Sequence, residues 1–500
     1  MSVPIRSSFA TSARRAAVGG VAAAIALASA VTLAGPAASA PAAAKAKPGR
    51  VGSAITLAQH NSFTGYSTDI AVDSKGTAYV GWISFATSGS KLNQVHLCVL
   101  PLGSRTCKGG VQTIPSLDAG GARDLYVVDP PGGKVTLLWY ADTGTASNIV
   151  DATVTGSTLS TASVVASGPI NGDLRAAVVA PNHSIWTLTD AGGGSSMQLR
   201  EGLGASPVSI STPYSPVYAH IAFAHNTPII AIDDGTSITQ PPLYSYRSGS
   251  SWKSFKKVTG TWATGINFDL VATSSGVRII AQNGTIAALN YYIPLIATWN
   301  GHGFSAPKAT GDNDDVSSHD GVTDASGRLA DAAAENGGIA VSNFGASNKA
   351  AIFRIPVSGT LAGFAPQIGT SPRGNGWVLY AVEEPSGSGG DLLKLQPIRL
   401  AGVHATKTAH GSHGSVTVTG PANCLPDSTI SVSVKGHPKH GWKVASHHLK
   451  LGSKKVGTSI NGTGLKAGKK YTLKGSVTFS SGGSHSTVTA KLKFTTCPKP

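Results

Sequence analysis

The sequence predicts an all-β protein: a six- or seven-bladed β-propeller over residues 51–402, followed by a small β-sandwich over residues 416–500. Three observations predict it. With 61 glycines and only 13% charged residues, the 500-residue chain has many turns and few runs that favour helix. Related segments recur at a spacing of roughly fifty residues, the length of a four-stranded blade. Beyond about residue 415 the repeat gives way to alternating strands of very different charge.

Residues 1–40 read as a secretory signal peptide. The first fifty residues hold no acid, and Arg6, Arg14 and Arg15 precede an Ala/Val/Leu-rich stretch from Ala16 to Leu33. Ala38-Ser39-Ala40 offers small residues for cleavage, with Pro41 just after, so the mature start is expected between about Ala37 and Lys47. The apolar stretch is mostly Ala and Gly, too weakly hydrophobic for a membrane anchor. The expectation is a secreted protein, extracellular or cell-wall associated, with no transmembrane segment after signal cleavage and a flexible mature N-terminus over residues 41–50.

Export places the four cysteines where thiols oxidise. Of three pairings, Cys98 with Cys107 and Cys424 with Cys497 is the expected one. A zinc site on His96, Cys98 and Cys107 lacks a fourth ligand.

The repeats start Tyr66-Ser-Thr-Asp69, Ala122-Arg-Asp124, Gly172-Asp173-Leu, Ala219-His220-Ile, Phe268-Asp269-Leu and His319-Asp320-Gly, with a degenerate seventh copy at Gly374-Asn-Gly-Trp377. Each start leads to a second strand, such as Thr77–Trp82 or Val135–Trp139, and then to an outer pair, such as Tyr244–Phe255. Such units cannot bury both faces alone, so they close in a ring. Ala54–Leu57, ahead of the first copy, is placed to supply the outer strand of the last blade. Cys98 and Cys107 lie across the outer hairpin of the first.

These residues resemble the sialidase-like, BNR-type propellers of exported bacterial proteins over about residues 51–400. The resemblance rests on Asp69-x-x-x-Asp73-x-x-Gly76 and on Gly301-His-Gly-Phe304-Ser-Ala-Pro307. It implies the fold, and with it a sialidase-like glycoside hydrolase as one reading of the function. The family's Ser-x-Asp-x-Gly-x-Thr-Trp box is intact in no copy. Phe353-Arg354-Ile355-Pro356 looks like the motif carrying the family's first catalytic arginine, but it sits in the outer part of the sixth copy instead of ahead of the first. Tyr380, Glu383 and Glu384 read as an ordinary strand end. Gly-x-Ser-x-Gly, His-Glu-x-x-His and phosphate-loop motifs are absent, so no catalytic residue is assigned.

The candidate binding residues are positional. Asp69, Asp124, Asp173, Asp269 and Asp320 open the first strand of five copies, and His220 opens that of another. That strand lines the central channel, so the six side chains either gather into a polar, cation-binding mouth or accept backbone N–H groups at the blade junctions. Asp312, Asp314 and Asp315 put hard oxygen ligands on one connection and make calcium the one cofactor to consider, without the spacing of an EF-hand.

The formal charge of +16 is uneven. Residues 51–400 carry 20 bases and 23 acids, whereas residues 401–500 carry 14 lysines and one acid, Asp427. The shift, with the polar stretch His404–Ser415, predicts a linker over 403–415. Beyond it Val416–Thr419, Ile430–Val434, Tyr471–Val477 and Val488–Phe494 alternate as half-buried strands. Leu465-Lys-Ala-Gly468-Lys-Lys-Tyr471 makes the domain similar to the Ig-like modules that end many exported proteins, which implies a spacer or adhesion unit. Its lysines suit an anionic cell-wall polymer or only a solvated surface. Nucleic acid fits poorly, because few aromatics are present to stack on bases. The function expected is binding of an extracellular glycan or protein ligand by the propeller; a structural envelope role is the third reading.

Overall fold

The computed structural model describes residues 49–496 outside 62–66, 74, 85–92, 116–121, 143–146, 170–171, 191, 193, 234–240, 261, 263, 274–275, 285–291, 310–315, 324–328, 336, 345–349, 363–364, 372–374, 385–389, 401–403, 422–423, 426–428, 462–463 and 467–468. Residues 1–40, expected as a signal peptide, the loop of Asp312, Asp314 and Asp315, and the expected Cys424–Cys497 pairing fall outside the described residues.

Seven antiparallel sheets follow one another along the chain. Their innermost strands are Thr68–Val72, Ala122–Val128, Leu174–Val179, Tyr218–Ala224, Thr264–Thr273, Val316–Thr323 and Gln367–Thr370, in blades 1 to 7. Each innermost strand touches the next, and the seventh touches the first, so the ring is closed. Second strands such as Ile185–Asp190 and Asn375–Glu383 are buried along almost their whole length, because neighbouring blades cover both faces. An apolar cluster fills every junction; that between blades 1 and 2 joins Ile83 and Leu97 to Leu125 and Trp139.

Blade 7 is closed by the N-terminus. Ile55–Asn61 pairs antiparallel with Asp391–Arg399, and Gly49–Arg50 extends the same edge. Ile55 and Leu57 pack with Trp377, Leu393 and Leu395 in the cluster between blades 7 and 1. Ala54–Leu57 thus lies at the closure the sequence suggested, and Gly49–Arg50, expected to be flexible, is paired. The seventh copy is displaced from its expected start. Gln367–Thr370 is the innermost strand and Trp377 lies on the second, because the innermost strand carries neither the aspartate nor the sequence of the other copies. Cys98 and Cys107 form a disulfide between the third strand of blade 1 and the segment leading to its fourth.

The C-terminal domain is a sandwich. A three-stranded sheet (His404–His410, Gly414–Pro421, Ser433–Pro438) faces a larger one built on Lys443–Leu451, Lys470–Ser481 and Ser484–Thr496. Val416 and Val418 of the first sheet share a core with Leu473, Val477 and Phe479 of the second. Residues 404–410, expected as linker, are a strand in register with 415–421. Their polar composition suits an edge strand, on which Thr406, Lys407, Thr408 and His410 are exposed.

The two sheets approach closely at Gly475, where an added Cβ would collide with Val418 Cγ2 and lie 2.9 Å from Val434 Cγ2. Gly475→Ala is expected to destabilise this domain by about 1–3 kcal/mol through overpacking. Scanning calorimetry of the full chain, following the transition of this domain, checks this, and an unchanged transition would mean the sheets can spread.

Candidate functional site

The candidate residues meet at the axis, where most of them join blades. Asp69 Oδ2 accepts a hydrogen bond from the Val127 backbone N–H of blade 2 at 2.6 Å. Asp124 Oδ2 accepts from Leu174 N–H at 3.0 Å, Asp269 Oδ2 from Gly321 N–H at 2.9 Å, and Asp320 Oδ2 from Ile368 N–H at 2.7 Å. Each carboxylate reaches the innermost strand of the following blade. At the closing junction Gln367 takes the role, donating Nε2–H to Thr68 O at 2.6 Å and accepting from Thr68 Oγ1 at 3.1 Å. Four of the six candidates therefore satisfy N–H groups at blade junctions that would otherwise lack strand partners.

The other two depart from the pattern. Asp173 is held by Arg175 Nη2 at 2.6 Å and Arg123 Nε at 3.4 Å, and Arg175 also binds Asp190 at 2.6 Å. His220 lies against Asp269 (3.7 Å) and edge-on to Phe268 (4.9 Å between centroids). Among the described residues, no three of the groups that ligate metals are placed to hold one ion.

Crowding and burial alter their ionisation. Burial raises the Asp69 carboxyl to about 6, against the N–H donors of Val127 and Ile70. Burial and the nearby Asp173 raise Asp124 to about 7, against Leu174 N–H, Arg175 and Arg123. Asp320 stands well above the usual carboxylate range, through burial first and then the charge of Asp269.

At the end of the axis where the innermost strands finish lies a cavity of about 760 Å³. Its wall is apolar, from Val178, Val179, Ile221, Phe223, Leu270 and Val271 of blades 3 to 5. Asp129, His183, His225, Thr273 and Thr323 add polar groups from the strand ends and turns. Burial raises the Asp129 carboxyl, and Asp73 adds to the effect. His183 and His225 adopt left-handed backbone, with φ of 69° and 59°. His183 N–H donates to Ala180 O just as Gly76 N–H donates to Asp73 O, so a histidine stands where the blade 1 turn has glycine at φ 87°. A non-glycine residue at positive φ is uncommon, histidine being among those that adopt it most readily, and such positions are often kept for function.

No sequence motif marks this cavity. The signal available was the replacement of Gly76 by His183 when the turns are superposed. Arg354 lies on the outer strand of blade 6, paired with Glu335 at 2.9 Å, and Tyr380 is buried within blade 7. Neither reaches the cavity wall.

No protein-family model matches the chain, and no curated protein matches it. Among solved structures it is similar to the β-propeller domain of the trilobed protease from Pyrococcus furiosus (TM-score 0.41, 9% identity, 67% of this chain and 94% of that one). It is also similar to an α-L-arabinofuranosidase from Fusarium graminearum (TM-score 0.41, 10% identity, 70% and 98%). A third is the acylaminoacyl peptidase of Pyrococcus horikoshii (TM-score 0.43, 8% identity, 73% and 59%). The chain's own seven sheets and closed ring of innermost strands make it an all-β propeller protein.

Proposed function

We propose that this is an exported recognition protein whose propeller binds an extracellular glycan or protein ligand at the axial cavity. The observation that carries the reading is the combination there of an apolar wall with His183 and His225 at backbone angles that favour glycine. Such a concave site, apolar with a few convergent polar groups, suits the apolar face of a sugar or a protruding side chain. The Cys98–Cys107 disulfide supports an oxidising compartment. The latch aspartates support binding over glycoside hydrolysis, since each already accepts a hydrogen bond from a neighbouring blade.

The test is a glycan array, together with photo-crosslinking to extracellular proteins, using the full chain and the His183→Gly/His225→Gly double variant. Loss of left-handed strain, about 1–2 kcal/mol per residue, offsets the added backbone entropy of glycine, about 0.5–1 kcal/mol. The variant is therefore expected to keep its melting temperature and lose selective binding. Undiminished binding by the folded variant would remove the cavity from consideration.

A further inference from the structure

The strand register of the larger C-terminal sheet places four lysines in one row. Lys491 lies opposite Lys474, Lys474 opposite Lys450, and Lys450 opposite Lys455, across four adjacent strands. All four are exposed, while Leu449, Leu473 and Leu492, their neighbours in sequence, point into the sandwich core. Strands stand about 4.8 Å apart, so the row spans about 14 Å.

Lys493 continues the same face one rung beyond, opposite Thr472. On the other side Ser476 lies between Thr489 and His448, followed by Thr478 opposite Thr487. Among the described residues none of the four lysines has a carboxylate partner.

Like charges directly opposite one another destabilise a sheet, and three consecutive pairs do so without relief. Solubility is served equally well by scattered charges of both signs. The row therefore calls for an anion that bridges several ammonium groups. Its chemistry narrows the choice. Residues 401–500 contain no arginine, so the face offers point charges and no planar fork for bidentate recognition. Trp442 stacks on His413, and Tyr471 on Phe494; Phe494 is buried, and Trp442 and Tyr471 are half-buried against the same core, so little aromatic face is left to stack on bases. A row with a charge about every 5 Å matches a flexible polymer of comparable charge density.

We propose that this face docks a linear, base-free polymer of phosphate groups, holding the protein to an anionic matrix. The proposal is independent of the ligand of the axial cavity.

The experiment measures binding of the full chain to long-chain inorganic polyphosphate across a salt series. Four contacts predict log K falling against log salt with a slope of about −3. Lys450→Gln/Lys474→Gln is expected to weaken binding at least tenfold and to reduce the slope by about 1.4. Lys407→Gln/Lys439→Gln removes two exposed lysines from outside the row and is expected to change affinity less than threefold. Equal losses from the two pairs would reduce the effect to net charge and overturn the proposal. So would tighter binding of duplex DNA or of a polyuronate than of polyphosphate, or no binding of polyphosphate at low salt.

Discussion

Asp124→Asn is expected to leave stability near that of the natural protein at pH 4 and to raise it at pH 8, by on the order of 4 kcal/mol. Asp124 is 6% exposed, and its carboxyl titrates at about 7 in the fold, against an ordinary value of 3.8. The folded state therefore holds the proton more tightly than the unfolded chain. This contribution to stability is complete below about pH 4 and is lost as pH rises through 7. Asparagine resembles the protonated acid. Its Oδ1 can still accept from Leu174 N–H, and it tolerates the φ of 53° found at this position.

His96 works in the opposite direction. Burial lowers its pKa to about 4, so its contribution to stability is lost as pH falls from about 6.5 to 4. It is common to both proteins and cancels in their difference. Asp124→Ala is the contrasting case, because it strands the Leu174 N–H at a loss of about 1–3 kcal/mol even at pH 4. Urea unfolding at the two pH values checks the set. An Asp124→Asn protein less stable than the natural one at pH 8 would mean that the N–H donor and the two arginines outweigh burial.

Deleting residues 1–62 is expected to lower the melting temperature by about 10 °C or more relative to a chain beginning at residue 49, and to promote aggregation. The deletion removes Ile55–Asn61 and Gly49–Arg50 from the edge of blade 7. It strips partly buried Ile55, Leu57 and Ala58 from the cluster around Trp377 and Leu395. Partial burial of these side chains and about four ladder hydrogen bonds together stabilise by about 5 kcal/mol or more. The strand Asp391–Arg399 is then left as an open edge, and the closing junction keeps only the inner contacts of Gln367–Thr370 with Thr68–Val72. Scanning calorimetry of the two truncated proteins measures the difference; equal transitions would show that the ring holds without its N-terminal strand.

Two kinds of physical constraint separate what was legible in the sequence from what was not. Local constraints act within a blade. Alternation, turn residues and the recurring first strands from Asp69 to Asp320 specify four-stranded units, and the need to bury both faces of each unit specifies a ring. Even the closing role of Ala54–Leu57 follows from an incomplete last copy. Where the local signal weakens, the sequence no longer marks the strand. Gln367–Thr370 lacks the aspartate of its counterparts, and His404–His410 is polar enough to resemble a linker although it is a paired strand.

The remaining questions depended on distances across junctions and on strand register. An aspartate that opens an inner strand can face the channel or latch the next blade. Only the position of Val127, Leu174, Gly321 and Ile368 N–H decides between them. The cavity beside His183 and His225 exists because turns some forty residues apart converge on one axis. Fourteen lysines establish that the C-terminal domain is basic. That Lys450, Lys455, Lys474 and Lys491 share one row was decided by the pairing of four strands, because alternation determines the face of each side chain but not its partner across the sheet.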